Sequence, residues 1–180
     1  MNAPDHPAST FDAVNPVFVA VQPGQSRSHW QPMPANGYTT VMLAGEQTVS
    51  GNVSMGTQTV AVGGFVREHA HPAQEELIFV LSGSGVALVQ DVEHPMVPGA
   101  LFYLGPNTRH KFTNTAAEPL IFAWTMLPAG LEKFFAAIGR TRHEGDPAPA
   151  PFPRPTDVKA VELGTVFADL DALKAMQARC

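Results

Sequence analysis

The sequence predicts an all-β protein with a short helical annex at its C-terminus. Short apolar or alternating runs recur from Val17 onward, and Pro, Gly, Asn or Ser residues separate them at the spacing expected of a β-sandwich or barrel. The 15 glycines and 17 prolines are numerous enough to punctuate many short strands. Long helical patterns do not alternate with these runs, which argues against a βαβ arrangement.

Nine runs are predicted to form strands. In chain order they are Val17 to Val21, Tyr38 to Leu43, Gln58 to Val62, Phe65 to His71, Leu77 to Leu81, Val86 to Val89, Leu101 to Leu104, His110 to Asn114 and Leu120 to Leu127. Between the fifth and sixth runs, Ser82-Gly83-Ser84-Gly85 predicts a hairpin turn, because glycine adopts positive φ without strain.

The hydrophobic period changes after Pro128. Leu131, Phe134, Phe135 and Ile138 recur at helical spacing, and Gly139 follows as a residue that ends a helix. The proline-rich residues 144–155 should run extended over the surface.

Two more helices are predicted at Thr156 to Leu163 and at Asp169 to Ala178. We therefore expect a flexible N-terminus at residues 1–15, a β-barrel at 16–127, and C-terminal helices with a proline-rich linker at 128–180.

Composition narrows the classes of partner. The chain has 180 residues and a net charge of −5, with no basic cluster and no apolar run of membrane-spanning length, which argues against nucleic acid and membrane as partners. One terminal cysteine, Cys180, and an N-terminus without a signal-like pattern favour the cytoplasm. Charged residues make up only 15% of the chain, too few to coat a small monomer, which predicts a homodimer.

Two histidines at strand spacing predict a metal site. Residues i and i+2 of a strand point to the same face, so His69 and His71 can offer two imidazoles to one ion. Glu76 lies an odd number of residues from both, but the break at Pro72 to Glu75 allows the next strand to return its carboxylate inward. His110, at the start of a later strand, is the fourth candidate ligand.

The alternatives to these ligands are weaker. Glu75 competes with Glu76 for the carboxylate position, and the spacing to Gly83 favours Glu76, with Glu75 then facing outward. The four remaining histidines have no partner at ligand spacing and are interpreted as surface or loop residues: His6, His29, His94 and His143.

These residues resemble the two motifs of the cupin superfamily. The first motif is matched by Gly63, His69, His71, Glu76 and Gly83, and the second by Gly99, His110 and Asn114. In the second motif, Gly105 stands at the usual proline and Asn107 at the usual inner glycine, which affects the turn rather than the ligand. The resemblance covers about residues 55–127 and implies a double-stranded β-helix, a jelly-roll barrel with a metal near its mouth.

The metal is expected to be one divalent transition ion per chain. Iron is the first choice by the family resemblance, while imidazole and carboxylate ligands also suit Ni, Mn, Zn and Cu. Four protein ligands would leave one or two coordination positions open for water, a chelating substrate or dioxygen.

Strand parity also predicts the residues that line the cavity. Phe65 and Arg67 share the face of His69, Ile78 and Val80 share that of Glu76, and Phe112 shares that of His110. These five are the candidate substrate-binding residues. For Arg67 the alternative is a rim position paired with a surface acid. Asn114, also on the face of His110, is expected to brace the fold.

Taken together, these features predict a metal-dependent dioxygenase. Its substrate would be a small aromatic, flavonol-like or dicarbonyl molecule that chelates the ion, with Glu76 as ligand and proton acceptor. Two alternatives remain open. One is a non-redox isomerase, lyase or hydrolase that uses the same ion, and the other is a small-molecule-binding protein without turnover.

Overall fold

The computed structural model describes residues 18–179. Its elements, in chain order, are β1 (Arg27–Trp30), β2 (Tyr38–Leu43), a 3-10 turn (Gly45–Gln47), β3 (Ser54–Val60), β4 (Phe65–His69), β5 (Glu75–Ser82), β6 (Gly85–Val89), β7 (Val92–Met96), β8 (Leu101–Leu104), β9 (His110–Asn114), β10 (Leu120–Leu127), α1 (Leu131–Ile138), β11 (Arg140–Arg142), α2 (Val158–Leu163) and α3 (Leu170–Gln177).

The strands form two antiparallel sheets. The larger has the order β11-β1-β2-β3-β10-β5-β8 and the smaller the order β4-β9-β6-β7. The all-β double-stranded β-helix with a small helical part at its C-terminus, predicted from the sequence, is therefore confirmed.

Alternating side chains build the core between the sheets. Along β10, burial alternates residue by residue, so that Leu120, Phe122, Trp124 and Met126 point inward. β9 follows the same rule in the facing sheet, where Phe112 packs on Phe122 with ring centroids 5.4 Å apart. This alternation determines which residues of each strand can reach an internal site.

Asn114 ties the end of β9 to its surroundings, as expected of a brace. Its buried Nδ2 lies 3.0 Å from the carbonyl oxygens of both Val60 and Ala61 and 2.9 Å from that of Glu118. Its Oδ1 accepts a hydrogen bond from the backbone of Ala116 at 2.9 Å. A buried amide with these contacts stabilises the strand that carries His110 at its other end.

Helix α1 covers one end of the barrel, as its periodicity predicts. The four apolar residues at helical spacing are buried, and Phe135 packs on Trp124 with ring centroids 5.5 Å apart. Gly139 ends the helix, and a Cβ there would lie 2.8 Å from the carbonyl oxygen of Trp30. Only glycine permits this close approach of the two backbones.

Three strands lack a recognisable pattern in the sequence. β1 and β11 are short and rich in polar residues, and β7 is an exposed edge strand that contains Pro95. Edge strands tolerate proline and charge because one side makes no ladder, which accounts for the missing hydrophobic alternation of β7 and β11. β1 pairs on both sides, and its four residues are too few to show a pattern. Conversely, the predicted strand at Val17 to Val21 is wrong over residues 18–21, which form no strand, and Val17 lies outside the described residues.

The C-terminal third follows the predicted order. Residues 144–155 contain neither helix nor strand, and α2 and α3 begin within two residues of their predicted starts. The expected flexible terminus at residues 1–15 and Cys180 lie outside the described residues. Among residues 18–179, every helix is too short or too polar to cross a membrane.

Candidate metal centre

Four side chains from three strands and one loop converge at one end of the barrel. His69 ends β4, His71 follows two residues later, Glu76 lies near the start of β5, and His110 begins β9. Each offers one ligand atom, and the four atoms lie within 4.8 Å of one another. All four predicted ligands are thus brought together in a cluster that can bind a metal ion.

Strand pairing explains this convergence. β4 and β9 are antiparallel neighbours with His69 directly opposite His110, and their ring centroids lie 4.1 Å apart. β5 lies in the facing sheet, so Glu76 approaches the histidines from the other side of the barrel. Glu76 lies an odd number of residues from both His69 and His71, which on one continuous strand would put it on the opposite face. Because the chain reverses between His71 and Glu76, all three side chains still point to the same site.

Each histidine is oriented through Nδ1. The Nδ1 atoms of His69, His71 and His110 lie 2.7, 2.7 and 2.9 Å from the backbone oxygens of Arg67, Val166 and Thr108, respectively. A carbonyl oxygen only accepts, so these contacts assign the proton to Nδ1 and leave the Nε2 lone pair free. Metal-binding histidines are commonly oriented in this way.

Buried atoms without partners show that the residues fit a cation. Within the described part of the chain, Nε2 of His71, Nε2 of His110 and Oε2 of Glu76 are buried without a hydrogen-bond partner. Oε2 of Glu76 lies 3.5 Å from Nε2 of His71 and 3.2 Å from Nε2 of His110. Leaving such atoms unsatisfied costs about 1–3 kcal/mol each. One divalent transition ion would satisfy them together, and imidazole with carboxylate is a ligand set that such ions accept.

The electrostatics favour the forms that bind metal. Burial by itself would raise the pKa of Glu76, but the adjacent imidazoles of His110 and His71 hold it well below its ordinary value. Burial, followed by the neighbouring His110 and His71, lowers the pKa of His69 well below its ordinary value. The cluster therefore presents an ionised carboxylate and a neutral imidazole at Nε2.

The rejected ligand candidates lie elsewhere. Glu75 is exposed, as expected for the residue that faces outward. His29 belongs to β1, His94 to exposed β7, and His143 to the loop after β11, and none of them joins the cluster. His6 lies outside the described residues.

A largely apolar cavity adjoins the cluster. Its free space amounts to about 650 Å³ when the solvent in its open mouth is counted, and His69 and Glu76 are among the residues that line it. The side chains of six phenylalanines line it: Phe65, Phe112, Phe122, Phe134, Phe135 and Phe167. Two of the five predicted substrate-binding residues, Phe65 and Phe112, are among these six.

Ile78 and Val80 lie deeper than predicted. Both are almost fully buried within the apolar core, and neither lines this cavity. They share the inward face of β5 with Glu76, but each step of two residues moves about 6.6 Å further along the strand. Strand parity thus predicts correctly which face of β5 these residues occupy, but it does not determine how far along the strand they lie from the cavity.

Arg67 lies at the rim. Its side chain is about half exposed, lines the cavity mouth, and donates through Nη2 to Oε1 of Glu162 at 2.5 Å. This corresponds to the rim alternative, with a partner supplied by α2.

Two functional contributions come from the segment between α2 and α3, where the sequence carries no motif. The Val166 carbonyl orients His71, and the Phe167 ring packs 5.2 Å from the ring of His69 and 5.0 Å from that of His71. The backbone of Ala168 donates to the carbonyl of Ala70 at 2.9 Å, which fixes this segment beside the ligands. The segment thus forms part of the wall of the site.

The family model that matches this chain is described as the cupin domain, and it matches residues 56–126. Among solved structures, a predicted oxalate decarboxylase from Thermotoga maritima superimposes with a TM-score of 0.55 at 18% identity, covering 61% of this chain and 99% of that one. KdgF from a Halomonas species gives a TM-score of 0.50 at 12% identity, covering 58% and 89%. At these identities, the likeness concerns the fold.

Two curated proteins match shorter stretches. Protein SchB of Streptomyces halstedii is 36% identical over 61 residues, covering 34% of this chain and 44% of that protein. A glucose-6-phosphate isomerase of Thermococcus kodakarensis is 37% identical over 59 residues, covering 30% and 31%. The matched stretch thus spans less than half the length of either relative.

Proposed function

We propose that this chain, whose residues 56–126 match the cupin domain, is a metal-dependent dioxygenase of small molecules. The proposed substrate is aromatic, flavonol-like or dicarbonyl and binds the metal through its oxygen atoms. One observation carries the proposal: three histidines and one ionised carboxylate converge in a single cluster, and two of the four, His69 and Glu76, line a cavity with aromatic walls.

The ligands of the proposed ion are Nε2 of His69, His71 and His110 and a carboxylate oxygen of Glu76. Iron is our choice of ion. When bound, such an ion would supply Lewis acidity toward substrate oxygens and electrons for reaction with dioxygen.

Glu76 is the proposed proton acceptor. Its carboxylate is ionised and buried, and it lines the cavity where a substrate would meet the cluster. A hydroxyl of a chelating substrate would transfer its proton to this carboxylate, which leaves a more electron-rich oxygen on the substrate. The three imidazoles direct Nδ1 toward backbone carbonyls and would bind the ion through Nε2, so they are poorly placed to compete for this role.

The aromatic walls would bind and orient the substrate. Phe65, Phe112 and Phe167 line the cavity, and aromatic walls suit a flat, conjugated molecule. Phe167 also covers the rings of His69 and His71, so a bound substrate would be separated from bulk water.

A second candidate function is non-redox catalysis of isomerisation or elimination at the same cluster. The observation that favours it is the local match to a protein named glucose-6-phosphate isomerase. In this alternative, Glu76 would still accept a proton, and the ion would polarise a carbonyl without electron transfer.

Oxygen uptake separates the two. Protein purified without added chelators and reconstituted with Fe²⁺ would be assayed in an oxygen electrode with flavonols, diketones and hydroxyaromatic ketones. We expect uptake that matches product formation, a loss of at least about 100-fold in Glu76→Gln, and no change in the matched control Glu75→Gln, whose side chain is exposed.

Product formation without oxygen uptake would replace the dioxygenase proposal with the non-redox one. Failure of the protein to retain any transition metal would refute both. Activity that survives in Glu76→Gln at the level of Glu75→Gln would remove Glu76 from the mechanism.

A further inference from the structure

The cavity mouth carries a cluster of three charged residues that is separate from the metal centre. Arg154, from the proline-rich segment, donates through Nη2 to Oε1 of Glu162 at 2.6 Å. Arg67 donates through Nη2 to the same oxygen at 2.5 Å. All three residues line the cavity that reaches His69 and Glu76.

This cluster has an excess of positive charge. Two guanidinium groups share a single carboxylate, so the three residues carry a net charge of +1. Glu68 also lines the cavity, but its two oxygens are occupied by Arg109 at 2.6 Å and Lys174 at 2.5 Å. Glu68 therefore belongs to a separate ion-pair group and does not neutralise the arginines.

Arg154 has an unused donor. Its side chain is only 16% exposed, and Nη1 is buried without a hydrogen-bond partner among residues 18–179. Burial lowers the pKa of Arg154, and the positive charge of Arg67 adds to this effect, while Glu162 opposes it. A buried guanidinium with a free donor and incomplete neutralisation is stabilised by a second anion.

We propose that Arg154, with Arg67 beside it, binds a carboxylate group of the substrate at the mouth of the cavity. The substrate would then be an aromatic or conjugated carboxylic acid whose carboxylate lies at the arginines, whose body packs on the phenylalanines and whose oxygen donors face the cluster of His69 and Glu76. This inference extends the proposed function to the class of substrate. It rests on that proposal for the end of the substrate that would bind the metal.

The observations favour a carboxylate over a phosphate. A carboxylate has two acceptor oxygens and one charge, which suits the free nitrogen of Arg154 and the net charge of the three-residue cluster. A phosphate monoester carries nearly two charges and three acceptor oxygens, which call for more free donors than this cluster offers.

The test compares two probes of matched shape. 3,4-Dihydroxyphenylacetate carries two oxygen donors, an aromatic ring and a distal carboxylate, and its amide lacks only the charge. Titration calorimetry with Zn²⁺-loaded protein would measure both dissociation constants. We expect the acid to bind at least about tenfold more tightly than the amide, and inorganic phosphate not to compete with it.

Two variants separate a binding role from a structural one. In Arg154→Gln, the ratio of the two constants should fall to about one while amide binding is retained, whereas the matched control Arg27→Gln, an exposed arginine paired with Glu46, should keep the ratio. In Glu162→Gln, both arginines lose their internal anion, so the acid should bind more tightly. A purely structural latch would predict weaker binding of both probes in Glu162→Gln.

Several results would overturn the inference: an unchanged ratio in folded Arg154→Gln, weaker acid binding in Glu162→Gln, or no acid binding at about 10 mM. Competition by phosphate at the same concentration as the acid would also overturn the choice of carboxylate. Repeating the titrations without Zn²⁺ keeps the two proposals apart. If the acid still binds more tightly than the amide, but Zn²⁺ lowers the dissociation constant of neither probe, the result would support the arginine site and count against the metal centre.

Discussion

His110→Ala should weaken metal binding about 100-fold while leaving a folded barrel. His110 is almost fully buried, and its Nε2 lies 3.2 Å from Oε2 of Glu76 without a hydrogen-bond partner in the described chain. Its Nδ1 contacts only the carbonyl of Thr108, two residues away. The imidazole thus makes no long-range hydrogen bond that holds the strands together, and its main role would be as a ligand.

The magnitude follows from binding linkage. A metal present at about 1,000 times its dissociation constant stabilises the native state by about 4.1 kcal/mol. For a protein of this size, each kcal/mol shifts Tm by about 2–4 °C, so the wild-type protein should gain about 8–16 °C on metal addition. If loss of one ligand weakens binding about 100-fold, the stabilisation falls to about 1.4 kcal/mol and the gain to about 3–6 °C.

The assay pairs metal content with thermal unfolding. Bound metal would be measured by inductively coupled plasma mass spectrometry, and Tm by calorimetry with and without Fe²⁺ or Zn²⁺. His94→Ala is the matched control, because His94 is exposed on the edge strand β7. A His110→Ala protein that binds as much metal as His94→Ala, with the same gain in Tm, would refute the assignment of His110 as a ligand.

Three other predictions test the surroundings of the site. Asn114→Ala should lower the free energy of unfolding by about 3 kcal/mol, because several buried backbone groups lose their partner; urea denaturation measures this, and a cost below about 1 kcal/mol would contradict it. Phe167→Ala should lower the free energy of unfolding by about 2 kcal/mol in the same measurement, which is less than for a fully buried ring because Phe167 is only partly buried. It should also expose the ring of His69 to solvent. Burial opposes the low pKa of Glu68, but hydrogen bonds from Lys174 and Arg109 lower it overall. The Tm advantage of wild type over Glu68→Gln should therefore be full above about pH 4.5 and shrink as the pH falls below that; an advantage that grows in acid would reverse the sign.

The convergence of the four candidate ligands could be predicted because it follows from strand parity and one chain reversal. His69 and His71 are two residues apart on an extended stretch, and His110 begins a strand with a clear alternation. Neither inference needs to know which strands are neighbours. The pairing of β4 with β9 then adds the spatial proximity, which the sequence pattern alone does not specify.

Depth along a strand could not be predicted in the same way. Parity assigns Ile78 and Val80 to the face of Glu76, and both do point inward. Whether an inward residue lines a cavity or fills the core depends on how far it lies from the barrel mouth. That distance depends on the stagger between sheets and on what covers the open end, and both arise from contacts distant in sequence.

The covering itself comes from the part of the chain with the weakest sequence signal. Val166 and Phe167 reach the histidines across nearly a hundred residues, and Arg154 and Glu162 meet Arg67 at the cavity mouth. None of these residues repeats at a spacing that marks a site. Arg154, Val166 and Phe167 lie in irregular segments and Glu162 in a six-residue helix, and their positions depend on how these pieces pack on the barrel. The contact between the Val166 carbonyl and His71 has a thermodynamic consequence. A metal ion bound at Nε2 would hold the ring of His71 in the orientation that the Val166 carbonyl needs at Nδ1, and would thus favour packing of the segment between α2 and α3. By thermodynamic reciprocity, the packed segment would strengthen metal binding at Nε2. The helical annex and the proposed metal centre are therefore one energetic unit, although the sequence pattern presents them as separate parts.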